Sequence, residues 1–170
     1  GFRFLRNITG FWLLEQCRPA WGDPDIATLV DGAERVDVDV PIVDVDDPRL
    51  LSPADMLGEY TALAGLPRAT APGLVARSII ESIAARTAEI VGQLEHAASF
   101  DDVILFGGAS RIDLLVRRLA ERTGHVVRVG SAEAAARGNA IVQGVALGVF
   151  NSIDDGRARL GAAPAMRTLR

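Results

Sequence analysis

The stretch VILFGGASRIDLLVRRLAERTGHVVRVG, Val103–Gly130, decides the fold. Asp102 to Phe106 is almost wholly apolar, the composition of a strand buried on both faces. Two glycines, Gly107 and Gly108, close it. Ile112, Leu115, Val116 and Leu119 then recur on one side at helical spacing, and Gly124 stands where that helix should stop. His125 to Val129 supplies a second strand. Strand, helix and strand in this order predict a βαβ unit with parallel strands and a right-handed crossover, hence an α/β fold.

The glycine corner has two readings. A residue without Cβ lets another group approach the backbone, and the mouth of a βα turn is where ligands of α/β sheets bind. Ser110 is placed to cap the helix, with Asp113 three residues on in the manner of a capping box. The three-glycine dinucleotide fingerprint is absent. On the residues alone, a tight turn fits at least as well as a nucleotide contact.

Outward from this unit the chain is rich in helices. Residues 4–17 place Leu5, Ile8 and Trp12 on one apolar face. Asp23 and Pro24 predict a capped helix to about Gly32, and Ser52 and Pro53 predict another that ends near Gly65. The longest helix should run from about Pro72 to Ala98, with Ile80, Ile83, Ala84, Thr87, Val91 and Leu94 as its buried stripe. VDVDVPIVDVDD alternates like an extended segment with one wet face, which Pro41 confines to an edge or a loop. Ser131 should cap an alanine-rich helix to about Phe150, and residues 151–170 read as a short helix and a loose tail. Two central strands are few for so many helices to cover. Either further strands escape the pattern, or the chain is the back half of something larger, which its immediate entry into a helix favours.

Composition bounds the chemistry. The 170 residues are 49% hydrophobic with a net charge of −4, which gives no support for nucleic-acid binding. Positive charge is carried by arginine alone, so a Walker A loop and a lysine nucleophile are excluded. Cys17 is the single cysteine, so no internal disulfide can form. No apolar run reaches the ~20 residues of a membrane span, and GFRFLRNITGF has no secretory-signal pattern. The cytoplasm is the expected compartment.

Other candidates are weighed on their residues. On one helix, the eight residues between Asn7 and Glu15 cover ~12 Å and leave roughly 80° of azimuth, enough to meet opposite ends of a small ligand; a helix cap and a solvated glutamate are the favoured reading of the residues alone. Asp37, Asp39, Asp44, Asp46 and Asp47 could gather a hard cation, but their spacing matches no calcium loop, and a charged strand edge explains them better. His96 should complement a helix dipole. Neither it nor His125 has a serine or cysteine in a nucleophile setting. Gly138, Gly144 and Gly148 suggest close packing of the last helix on a sheet. LVRRLAER reads as a wet helix face.

Taken together, these motifs resemble the C-terminal domain of the FGGY carbohydrate kinases, most closely the rhamnulokinase branch. Four stretches carry the resemblance, in order and over about residues 2–150: FRFLRNITGFWLLEQCRPAW, DDPRLLSPADM, LFGGASRIDLLVRRLAERTG, and SAEAAARGNAIVQGVALG with its Glu133, Gly138–Asn139 and Gln143 pattern. The resemblance implies an actin-like ATPase lobe of ribonuclease H-like topology, incomplete at its N-terminal side, as residues 1–150, with 151–170 as a tail. It implies ATP and Mg2+ in a cleft between two lobes and transfer of the γ-phosphoryl to a ketose hydroxyl, for this branch L-rhamnulose. The ATP-contacting set it gives is Asn7, Glu15, Gly107, Gly108 and Ala109, with no catalytic and no metal-ligating residue in this chain.

Departures from the family pattern bear on that set. Glu15 stands where the branch usually has glutamine, which suits a ribose or adenine contact better than a polyphosphate. Ala109 replaces a frequent third glycine, and Ile112 a frequent asparagine. The catalytic aspartate, the magnesium-linked aspartate and nearly all sugar contacts are expected upstream of Gly1, together with the early strands of the sheet. The chain alone is then expected to have no sugar kinase activity, weak nucleotide binding and an exposed sheet edge. Xylulose, fuculose and glycerol kinases remain alternatives, as does a degenerate actin-like lobe that binds without catalysing.

Overall fold

The computed structural model describes residues 6–160 and 167–169, in two compact units, Gly1–Phe100 and Asp101–Arg170. Among its described residues the first unit is helical: α1 (Trp12–Cys17), α2 (Ile26–Glu34), α3 (Met56–Leu63) and α4 (Pro72–Glu95). Pro72 opens α4, where the missing N–H has no partner to lose. Ile80, Ile83, Ala84 and Val91 are buried as the stripe predicts. His96 ends the helix with Nδ1 2.7 Å from the Gly92 carbonyl oxygen. From Val75 to Ala84, however, every residue of α4 is buried, polar ones included. α2 crosses α4 where Gly32 meets Gly73, and a Cβ on Gly73 would stand 2.8 Å from the Gly32 carbonyl carbon.

The buried polar residues of α4 explain the largest correction to the sequence reading. VDVDVPIVDVDD forms no strand. Its backbone partners are side chains of α4 instead. Ser78 Oγ donates to Pro41 O at 2.6 Å, and Val43 N donates to Ser82 Oγ at 2.9 Å. Arg77 donates to Val36 O at 3.0 Å and to Ala33 O at 3.3 Å while pairing with Glu81 at 2.9 Å. Tyr60, fully buried, sets its hydroxyl 2.9 Å from Ser78 Oγ and 3.2 Å from Ser82 Oγ. Val43 and Val45 are buried, whereas Val38 and Ile42 are exposed, so the alternation does not sort the whole segment into a wet and a dry face.

The aspartates expected on a strand edge have separate uses. Asp44 accepts from Asp46 N, and Asp47 from Arg49 N and the Arg49 guanidinium. Asp46 accepts from Thr9 N at 3.2 Å and pairs with Arg86 at 2.8 Å. Burial alone would raise the Asp46 pKa, but the bonds from Arg86 and Thr9 outweigh it and hold the carboxyl below its ordinary value.

Three helix starts shift. α1 begins at Trp12, not at residue 4; Thr9 N is committed to Asp46, and Gly10 has poor helix propensity. Leu5 lies outside the described residues. α2 is capped by Asp25, whose carboxylate accepts from Thr28 N at 2.7 Å, while Asp23 takes a left-handed φ of 62° that ends the preceding turn. α3 is capped by Asp55 rather than Ser52, and its chain turns at Gly65, φ 65°.

The second unit is the βαβ unit foreseen, with more after it. β1 (Asp102–Leu105) pairs in parallel with β2 (Val126–Val129), Asp102 opposite Val126 and Leu105 opposite Val129. α5 (Asp113–Thr123) joins them and stops at Gly124 in the left-handed region. Leu114, Leu115, Val116 and Leu119 bury with Val127 and Val129 into one core. Burial of β1 on both faces is not found, since Ile104 and Phe106 are 53% and 60% exposed. One helix packed on one face of a short sheet leaves the other bare. β3 (Arg167–Leu169) adds antiparallel to β2, so the stretch expected as a loose tail contributes a strand.

α6 (Ala134–Ala146) starts three residues after Ser131, whose hydroxyl accepts from Glu133 N at 3.2 Å without capping the helix. Its glycines serve no sheet. Gly144 and Gly156 leave room for the Phe150 ring between α6 and α7 (Ile153–Arg159), and Gly148 turns the chain at φ 71°.

Candidate functional site

The glycine corner is built where β1 and β2 end side by side. Gly130 N donates to Leu105 O at 2.8 Å, and Gly107 N to Ser131 O at 3.3 Å, so residues 105–108 and 130–133 form one rim. Gly107 has φ 85° and ψ −169°, a conformation open essentially to glycine alone. Gly108–Arg111 is a single 3-10 turn. Ser110 is buried inside it, and its hydroxyl donates to Gly107 O at 2.7 Å. The capping box is therefore not formed: the residue before α5 is Ile112, buried and extended, with no capping side chain.

Gly108 differs from Gly107. Its φ lies outside the left-handed region, it is exposed, and a Cβ there would meet nothing within 4 Å. Neither backbone strain nor packing within the unit calls for glycine at 108. Ala109, partly exposed, follows it in the same turn. Gly107, Gly108 and Ala109 thus share one open rim.

Arg111 also stands there, a residue the sequence reading passed over. Successive turns of a 3-10 helix eclipse positions i and i+3, so residue 111 stands over residue 108. Its guanidinium reaches the Glu133 carboxylate at 2.8 Å, both side chains about two-thirds exposed. The signal available in the sequence was only the three-residue spacing from Gly108.

Asn7 and Glu15 belong to the first unit. Asn7 is exposed in non-helical chain, so the helical azimuth relating it to Glu15 does not exist. Glu15 lies on α1 and accepts from Arg18 at 2.6 Å; Arg18 is also bound to the Pro24 carbonyl at 2.7 Å and paired with Asp23 at 3.0 Å. The Glu15 carboxylate is thus paired with the residue that follows its helix. Among the described residues, no group of three His, Cys, Asp or Glu side chains is placed to hold a metal ion. No helix among them is long and apolar enough to cross a membrane.

A short mixed sheet whose parallel pair ends in a glycine corner, with a helix joining that pair, defines an α/β unit. The crystal structure of xylulose kinase from Rhodospirillum rubrum is similar over 94% of this chain and 31% of that one, with a TM-score of 0.52 at 19% identity, a likeness of fold. The model of the FGGY family of carbohydrate kinases, C-terminal domain, matches residues 1–147, and the chain belongs to that family, with its actin-like, ribonuclease H-like fold. A rhamnulokinase of Bacteroides thetaiotaomicron is 32% identical over 98% of this chain, and one of Halalkalibacterium halodurans 35% identical over 92%. The chain spans 35% and 34% of the length of these two curated relatives, about a third.

Proposed function

We propose that this chain is the nucleotide-side part of an ATP-dependent sugar kinase that phosphorylates a ketose, L-rhamnulose being the substrate favoured by the rhamnulokinase relatives. The observation that carries the reading is Gly108. Its missing side chain has no use inside the unit, and the open space above it suits a flat ligand pressed on the backbone. Phosphoryl transfer needs positioning and charge neutralisation more than covalent chemistry. On this reading Gly107, Gly108 and Ala109 supply a smooth wall for the nucleoside. Asn7 and Glu15, in the other unit, are kept as ATP contacts by the family resemblance alone, Glu15 as a hydrogen-bond acceptor. The described residues offer no donor set for Mg2+, so magnesium is assigned no ligand here and is held by the phosphates and by the rest of the kinase. On this reading the base that takes the sugar hydroxyl's proton is supplied from outside this chain.

The test is co-expression of the chain with the remaining two-thirds of a rhamnulokinase relative, followed by coupled assay of ADP release over a panel of ketoses. Rhamnulose-dependent release by the complex and none by the chain alone is expected. Turnover by the chain alone would contradict the assignment of the base. Preference for xylulose, fuculose or glycerol would move the chain to another branch. One observation favours a second reading, a non-catalytic binding lobe: Ile112 is buried in the core and cannot make a polar contact at the corner. A complex that binds ATP but turns over no ketose would support it.

A further inference from the structure

We infer that Arg111, held by Glu133, clasps the base of the nucleotide against the bare backbone at Gly108. The inference rests on the nucleotide reading above and adds to it a specificity-determining pair that neither composition nor motif singled out.

The 3-10 turn fixes the geometry. It sets residue 111 directly over residue 108. A flat ring entering above Gly108 meets backbone on one side and the Arg111 guanidinium on the other. A guanidinium is planar and stacks on aromatic faces. Glu133 holds it by one contact at 2.8 Å from the neighbouring segment, which the Gly107–Ser131 hydrogen bond ties to the corner. An exposed ion pair of this kind contributes little to stability, so folding gives no strong reason for it. Ile112 is turned into the core, so Arg111 is the polar side chain of this turn that faces the open space. With its charge already matched by Glu133, the guanidinium is suited to the uncharged base rather than to the phosphates.

The test uses backbone amide NMR of the isotope-labelled 170-residue chain, titrated to millimolar adenosine, AMP and ATP. Ring-current shifts at Gly107, Gly108 and Arg111 are expected with all three. Arg111→Ala should weaken all three by the same factor, about three- to fivefold. Arg111→Lys should not restore them, because it returns the charge without the plane, and Glu133→Gln should fall between. The amide spectrum itself shows that each variant is folded. A loss that grows from adenosine to ATP, full rescue by lysine, or no loss at all overturns the inference. Gly108→Val separates it from its foundation. Shifts that survive Gly108→Val, or no shifts with any ligand, overturn the nucleotide reading itself. Shifts abolished by Gly108→Val but untouched by Arg111→Ala overturn the clasp alone.

Discussion

Gly73→Ala tests the packing of the first unit most directly. The added Cβ would sit 2.8 Å from the Gly32 carbonyl carbon and 2.9 Å from its oxygen, where ordinary contact begins at 3.4 Å. Both obstacles are backbone, so α2 and α4 must part by about 0.6 Å along their crossing. Overpacking of this kind costs ~1–3 kcal/mol. The helix-propensity gain of alanine over glycine is ~1 kcal/mol in a helix interior, and smaller at 73, the second residue of α4. The expected net loss is about 1–2 kcal/mol, equivalent to a melting-point drop of ~4–16 °C for a unit of this size. Gly32→Ala is the control. Its Cβ would lie 3.2 Å from the Gly73 Cα, and residue 32 is well inside α2, so strain and propensity should nearly cancel. Both tryptophans, Trp12 and Trp21, belong to the first unit, so their fluorescence in a urea titration follows that unit. A Gly73→Ala variant as stable as the parent, or a Gly32→Ala variant less stable than it, would refute the reasoning.

Other expectations follow from the same unit. Burial first, and the Asp55 charge second, push the Cys17 thiol up to about 12, so native protein at mildly alkaline pH should label with iodoacetamide only as fast as it unfolds; rapid labelling of folded protein would contradict this. Glu81→Ala should cost ~3–5 kcal/mol by stranding a buried guanidinium, towards the lower end because Arg77 keeps two carbonyl acceptors, whereas Arg77→Met with Glu81→Leu should recover most of it. Equal urea midpoints for single and double variants would count against a buried pair. The Asp46 pKa is depressed in the folded state, so its stabilisation is complete above the unfolded carboxylate value and fades as pH falls through the folded one. The fall in urea midpoint on acidification should therefore be shallower in Asp46→Asn, and an unchanged slope would exclude Asp46 as a contributor.

The parts of the fold legible in the sequence are those whose partners are local or periodic. The stripe of α4 and the stop at Gly124 follow from spacing and from backbone conformations that favour glycine. The valine–aspartate segment misled because alternation says nothing of where backbone hydrogen bonds go, and here it does not set burial either, with Val38 exposed. Its partners stand about 40 residues on, and only Ser78 and Ser82, four apart inside an apolar helix beside Arg77 and Glu81, hinted at them. The helix caps slipped because a carboxylate two or three residues on offered a closer acceptor than the proline signature did. At the candidate site, Gly107 was legible from chemistry alone. The Arg111–Glu133 pair was not, because it depends on a 3-10 turn and on an acid from the segment after β2.

The hydroxyls of Ser78 and Ser82 give the valine–aspartate segment an unusual dynamic character. A ladder strand opens from its end like a zipper, so exchange of its amides with solvent deuterium is graded along its length. A cord fastened at separate buttons on one rod detaches at each button independently, and the rod stays whole. Deuterium uptake along residues 36–47 should therefore be punctate, slow at Val43 and fast beside it, while α4 beneath remains closed.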